Sequence, residues 1–466
     1  MRVVFCSSEV VPFAKTGGLA DVAGTLPPVL AERGIDVKII LPRYRCVDEK
    51  KFGLQRVDDE VWMVKQAGVE VYFLENKRFF DRAGLYQDKG VDYPDNLERF
   101  TWYCLQSLAL CKKLRWRPDI IHVNDWQTAL IPIYLQTLYD EDPAFLGTKT
   151  VCTVHNLGYQ GLFDKEKFPV TGLDDDLFSV DGLEFYGKMN ILKGGLLFSD
   201  KITTVSPTYA REIQTKEFGC GLEGVLQERR GDVVGILNGI NYAEWDPATN
   251  KALACHYTAD TIDGKQENKL ALQKRCGLKP DTNVPLLGII TRLADQKGLD
   301  ILGKIIEDVC RMPVQFVLLG TGEPKYHTLF ERIAKEYKNT SIHLTFDAEL
   351  AYQIYAGSDI FLMPSYYEPC GLGQLISLAF GTIPLVRKTG GLADTVIDYD
   401  MYPERGNGFV FSDYTAAALQ LTIERALRQY QDRAAWRSLA QRAMKCDFSW
   451  GRSADKYVSL YRELKA

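Results

Sequence analysis

Three cations, a few carboxylates and a repeated glycine loop carry most of the chemistry this sequence offers. Arg292 and Lys297 follow an apolar run, Leu286 to Ile290, and Glu368 follows another, Ile360 to Met363. Lys15 opens the heptapeptide Lys15-Thr-Gly-Gly-Leu-Ala-Asp21, and the same seven residues recur at Lys388 to Asp394. Two cations after a buried strand suit a pyrophosphate leaving group, although solvated loop charges fit the spacing equally well. A Gly-Gly pair ahead of a helix exposes backbone N–H groups and aims the positive end of the helix at an anion, so both heptapeptides read as phosphate-facing loops. Asp125-Trp126 ends the run Ile120 to Val123, and His155 ends Lys149 to Val154. Asp125 is suited to touch ligand hydroxyls, with a helix-cap role as the alternative, and His155 alone reads as a hydrogen-bonded core histidine. Glu368 has the alternative of capping a helix that begins near Leu372, and Asp21 and Asp394 that of first-turn carboxylates favoured by the helix dipole.

The elements that must position these side chains alternate regularly. Further apolar runs at Val3 to Cys6, Val37 to Leu41, Val69 to Leu74, Lys201 to Val205 and Val233 to Leu237 predict strands, with helical spacing between them, as in Phe100 to Leu114. Gln315 to Leu319, Ile342 to Thr345 and Ile383 to Val386 predict more strands in the second half. Near-continuous apolar strands separated by helices predict parallel sheets covered on both faces, in two Rossmann-like domains. The turn-rich stretch from Asn238 to Asn250 places a hinge near Gly239. Trp450, Tyr457, Val458, Tyr461 and Leu464 share one face of a closing helix. Lys plus Arg number 56 against 61 Asp plus Glu, so no global field favours nucleic acid or an anionic membrane. No apolar run reaches a membrane span, the chain enters a strand without a leader pattern, and its 11 cysteines fit reduced thiols, so a cytoplasmic location is expected.

Taken in order, Ser7-Ser8-Glu9 with Pro12 and Lys15 to Val22, Asn124-Asp-Trp-Gln-Thr-Ala-Leu130, Thr153-Val-His-Asn-Leu-Gly-Tyr-Gln-Gly161, Val205-Ser-Pro207, Asn238-Gly-Ile240, Arg292-Leu293 with Gln296-Lys-Gly298, Glu368-Pro-Cys-Gly-Leu372 and Lys388 to Asp394 resemble the bacterial glycogen synthases and plant starch synthases. The resemblance runs from end to end. It implies an α/β GT-B fold, two Rossmann-like doubly wound domains facing across a deep cleft. Residues 1–239 would form the acceptor side, residues 240–449 the nucleotide-sugar donor side, and the helix 450–466 would pack back on the first domain. It also implies transfer of glucose from ADP-glucose, with UDP-glucose as the alternative, to the non-reducing 4-hydroxyl of an α-1,4-glucan with retention of configuration. No metal, no cofactor, no nucleic acid and no membrane is implied.

By matching position, the resemblance implies catalytic roles for Lys15, His155, Arg292, Lys297 and Glu368. It implies donor binding by Gly18, Asp21, Asn238, Phe346, Cys370, Gly371, Leu372, Thr389, Gly390 and Gly391, and sugar or acceptor contacts by Glu9, Asp125 and Trp126. Phe346 matches an aromatic that stacks on adenine, with a core aromatic as the alternative. Tyr366 stands where many relatives have Arg, and Gly373 where Thr or Asn is frequent; both changes touch the donor loop. The absence of an extra N-terminal carbohydrate-binding module favours the bacterial branch. A pyridoxal-dependent glucan phosphorylase, a nicotinamide oxidoreductase and a non-catalytic glucan-binding protein are the rival readings.

Overall fold

A computed structural model describes every residue from Met1 to Ala466. The chain forms two compact units, Met1–Asn238 with Trp450–Ala466, and Gly239–Ser449. The first is built on a nine-stranded sheet in the order Val233–Gly235, Lys201–Thr204, Lys149–Val154, Ile120–Asn124, Arg2–Cys6, Asp36–Pro42, Val69–Leu74, Val61–Gln66, Gln55–Arg56. Every pairing from Val233–Gly235 to Val69–Leu74 is parallel. Such strands are covered on both faces, which is why Ile120–Asn124 is buried at each position, the polar His122 and Asn124 included.

The direction of winding reverses beside Arg2–Cys6. Asp36–Pro42 lies on one side of it and Ile120–Asn124 on the other, and such a reversal opens a crevice beyond the carboxyl ends of the two central strands. The helix Gly18–Glu32 follows the first strand and buries Leu19, Val22, Ala23, Leu26 and Leu30. The closing helix Trp450–Lys465 packs beside it: Arg33 meets Asp455 at 2.5 Å and donates to the Gly451 carbonyl at 2.8 Å. Trp450, Tyr457, Val458 and Tyr461 are its buried face, and the Tyr461 hydroxyl lies 2.6 Å from Nδ1 of His122.

The second unit repeats the plan with six strands in the order Thr340–His343, Gln315–Leu319, Leu286–Ile290, Ile360–Met363, Ile383–Arg387, Phe409–Phe411, all parallel. Here the winding reverses between Leu286–Ile290 and Ile360–Met363. Helices Ala348–Gly357 and Gly373–Ala379 begin just after Phe346 and Leu372. The buried Lys265 ammonium holds their far ends together, donating to the Ala356 carbonyl at 2.7 Å and the Phe380 carbonyl at 3.2 Å.

Three local expectations change. The strand expected at Ile342 to Thr345 runs Thr340–His343 instead, because His343 pairs with Leu319 and the chain then turns into the helix capped by Asp347. The strand expected at Val233 to Leu237 stops at Gly235. The antiparallel pair Val61–Gln66 and Val69–Leu74 closes an edge of the first sheet; Val61–Gln66 is mostly half-buried and lacks the continuous apolar run of the central strands. No helix is long and apolar enough to cross a membrane.

Candidate active site

In the first unit, the strand Arg2–Cys6 releases the chain into Ser7-Ser8-Glu9. Glu9 is buried, and its carboxylate accepts the Thr16 N–H, the Thr16 hydroxyl at 2.6 Å, the Gly17 N–H at 3.0 Å and the Tyr86 hydroxyl at 2.8 Å. This carboxylate is therefore the built-in anion of the first heptapeptide and fixes the loop ahead of the helix. Glu9 is expected to meet sugar; the structure instead spends its lone pairs on the loop. Lys15 is half-exposed and reaches Asp21 at 2.6 Å. Burial lifts the Asp21 carboxyl above its ordinary range, against the pull of Lys15. Gly18 begins the helix.

Asp125 sits at φ 55°, a left-handed conformation uncommon outside glycine. Its carboxylate makes no helix cap and accepts the His155 N–H at 2.7 Å. Burial pushes the carboxyl up to about 7, and nearby Glu9 adds to the rise. His155 Nε2 lies 2.9 Å from Asn124 Oδ1, and the Asn124 amide donates to the Cys6 carbonyl at 2.9 Å. That donor assignment makes Oδ1 the acceptor, so His155 carries its proton on Nε2 and keeps Nδ1 as an acceptor. Burial holds the ring neutral, down to about 3. Trp126 stands edge-on to Phe100 and Phe163 at 5.1 and 5.6 Å. Lys15, Asp125, Trp126 and His155 thus gather beyond the strand ends around the first sheet's reversal point. Asn238 closes this unit's main segment, buried, with Oδ1 lacking a hydrogen-bond partner.

The second unit brings together residues more than seventy positions apart. Lys297 Nζ lies 2.7 Å from Glu368 Oε2, and the Ser365 hydroxyl donates to the same oxygen at 3.0 Å. Glu368 is buried and does not cap the helix Gly373–Ala379, whose start makes no side-chain bond. Gly298, at φ 72°, lets the two loops touch: a Cβ there would fall 1.9 Å from the Pro364 carbonyl oxygen. Arg292 reaches Gln296 at 3.3 Å. Its neighbour Leu293 pairs with Gly322, so Gly320-Thr-Gly322 is a rail for the Arg292 loop.

The second heptapeptide behaves unlike the first. Its helix, Gly390–Thr395, starts one position earlier in the motif, and a Cβ on Gly390 or Gly391 would fall 1.9 Å from the carbonyl oxygen of Glu368 or Cys370. The Gly391 N–H donates to the backbone carbonyls of Glu368 at 3.2 Å and Pro369 at 3.1 Å. The expectation that this N–H faces phosphate gives way to a packing role: buried Thr389, Gly390 and Gly391 form the floor beneath Glu368 and Cys370. Asp394 lies beyond the first turn. Gly371 and Leu372 lead from that floor into the helix Gly373–Ala379. Phe346 is 87% exposed, which removes the core-aromatic alternative. Sequence reasoning missed Ser365, Gln296 and Tyr86, which act through loop contacts that no spacing displays.

The chemistry of the second site follows from valence. An ammonium with one proton on Glu368 has two left for diphosphate oxygens, and Glu368 Oε1 remains an acceptor for a hydroxyl. Two doubly wound units, each with its polar residues at its own reversal point, define a GT-B glycosyltransferase. Residues 2–228 match the starch synthase catalytic domain and residues 273–443 the glycosyl transferases group 1. The glycogen synthase of Geotalea daltonii is 49% identical over 99% of this chain and 98% of its own, and that of Thermotoga maritima 46% over 100% and 99%. The catalytic domain of starch synthase IV from Arabidopsis thaliana, solved with ADP and acarbose, is 36% identical, covers 99% of each chain and superposes with a TM-score of 0.92. Sucrose-phosphate synthase from Thermosynechococcus elongatus shares the fold at 18% identity and a TM-score of 0.61, over 99% of this chain and 98% of its own. The chain belongs to the glycogen and starch synthase family.

Proposed function

We propose that the protein elongates an α-1,4-glucan with glucose from ADP-glucose, retaining configuration at the anomeric carbon, and that it works in the cytoplasm, where its 11 cysteines, none in a disulfide, stay reduced. The observation that carries this reading is the Lys297–Glu368 pair at the reversal point of the second sheet. As the bond from C1 to the diphosphate breaks, negative charge grows on phosphate and positive charge on the sugar. Lys297 and Arg292 meet the first, with Lys15 as the first unit's contribution. A fixed set of cations needs no reorganisation as the charge moves, which is worth several kcal/mol. Glu368 turns Oε1 to a hexose hydroxyl. Lys297 and Ser365 fix the carboxylate through its other oxygen.

The reaction then proceeds on one face of the sugar. The acceptor 4-hydroxyl attacks C1, its proton passes to the departing phosphate oxygen, and ADP leaves. Neutral His155, through Nδ1, and Asp125 accept hydrogen bonds from sugar hydroxyls in the first unit. Phe346 stacks on the adenine, a contact worth about 1–3 kcal/mol for a base on an aromatic ring. Incubating the purified protein with glycogen and either ADP-glucose or UDP-glucose, and following the freed nucleotide, tests the assignment. ADP release at least about tenfold faster supports it, a ratio equal to about 1.4 kcal/mol of donor discrimination. Release of UDP at an equal or higher rate sinks the donor assignment, and a β-linked product sinks retention.

A further inference from the structure

We propose that Arg387 is a positioning residue that sets where Glu368 meets the donor hexose; the inference rests on the hexose role given to Glu368 above. Arg387 is the last residue of the strand Ile383–Arg387 and touches neither Glu368 nor Lys297 in the contacts it makes. Its guanidinium donates through Nη1 to the Tyr366 carbonyl and through Nε to the Ser412 carbonyl at 3.3 Å. No carboxylate pairs with it. It lies instead against two aromatic rings, 5.6 Å from the centre of Tyr366 and 5.2 Å from that of Tyr414, and the rings themselves are 4.9 Å apart. The Tyr414 hydroxyl is in turn anchored on Asp300.

The consequence falls on the loop that presents the carboxylate. The Tyr366 N–H donates to the Gln296 carbonyl at 2.9 Å, so the backbone of Tyr366 is held from two sides. One side is the loop that carries Lys297; the other is Arg387. Ser365, the neighbour of Tyr366, supplies the second hydrogen bond to Glu368 Oε2. Releasing the Tyr366 carbonyl frees the segment from Ser365 to Glu368 to shift against Lys297. A planar guanidinium donates to two carbonyls in a fixed fork while its flat face stacks on an aromatic ring, a geometry that a compact ammonium on a flexible stem holds less rigidly. Tyr366 supplies one of those rings.

Arg387→Met and Arg387→Lys test the idea, with the thermal midpoint as a fold control. The Met variant is expected to lose about ten- to a hundredfold in kcat, the scale of a small misplacement at a reacting group. The Lys variant, which keeps charge and length, falls between Met and the parent. The KM for ADP-glucose and the calorimetric affinity for ADP stay within about threefold, because the residue acts on position and not on the nucleotide. Adding Arg387→Met to Glu368→Gln should change kcat/KM by less than about twofold, since two residues acting through one contact are not additive. The proposal is overturned if the two losses multiply, if the Met variant keeps parental kcat, or if ADP affinity falls in step with kcat. Parental kcat in Glu368→Gln alone would remove the hexose role itself, a separate failure.

Discussion

Lys15 rests half-exposed on Asp21 and supports no core contact, so its removal tests charge alone. Lys15→Ala should lower kcat by about a hundredfold, the usual loss for one charge-stabilising group, with an unchanged melting midpoint; parental turnover in a steady-state assay would strip Lys15 of its role. Phe346 offers the complementary case. Its ring is solvent-facing, so Phe346→Ala removes little packing, yet should weaken ADP binding about tenfold by calorimetry. Unchanged affinity would leave the adenine without its platform. Two histidines of the first unit make a third test. His122 and His155 are each held neutral by burial, down to about 3, against 6.5 in the unfolded chain. A depressed imidazole contributes stability above 6.5 that is lost as pH falls toward the folded value. Asp125, raised to about 7 from 3.8, has the opposite sign and loses its contribution as pH rises through that window. Two histidines against one aspartate leave a net loss on acidification. The urea midpoint should therefore drop between pH 6.5 and 4.5, and less steeply in His155→Gln; an equal slope in both proteins would contradict it.

At the scale of elements, one heptapeptide serves two physical purposes. Gly17 in the first copy has open space where a Cβ would sit, and its backbone is extended, so Gly17→Ala should leave the melting midpoint within about 1–2 °C. Gly391 in the second copy would drive a Cβ to 1.9 Å from the Cys370 carbonyl oxygen. Gly391→Ala should cost about 2–4 kcal/mol, the range of overpacked or strained buried positions, read from urea unfolding. Equal costs at the two sites would mean that the copies share one role after all. The contrast also marks what the chain discloses before folding. The central strands were readable because parallel strands buried on both faces leave unbroken apolar runs, as in Ile360–Met363 and Leu286–Ile290. Their carboxyl ends then pointed to Asp125, His155, Lys297 and Glu368. Which of these side chains are engaged was not readable. Glu9 turns inward to Thr16 and Gly17, and Gly391 gives its N–H to the loop above, through contacts set by tertiary approach and not by local spacing.

At the scale of the whole molecule, the two units differ in how the chain encloses them. The second is one uninterrupted segment, Gly239–Ser449, whereas the first is completed only when Trp450–Ala466 arrives. Burying Trp450, Tyr457, Val458, Leu460 and Tyr461 contributes about 1.5–3 kcal/mol for each large side chain, together a substantial part of the 5–15 kcal/mol by which domains are typically stable. The Tyr461 hydroxyl also satisfies His122, whose other nitrogen meets Thr153 and, through it, Thr203, so losing the helix strands the end of a buried polar chain. The fragment Met1–Asn238 should therefore lack a cooperative urea transition, and adding the peptide Trp450–Ala466 should restore one. The fragment Gly239–Ser449 should unfold cooperatively by itself and bind ADP, because Phe346, Lys297 and Glu368 all lie within it. Turnover is not expected from it, since Lys15, Asp125 and His155 are absent. Cooperative unfolding of Met1–Asn238 without the peptide would show that the closing helix is an addition to a fold already complete. Loss of ADP binding by a well-folded Gly239–Ser449 would show instead that nucleotide recognition needs the first unit as well.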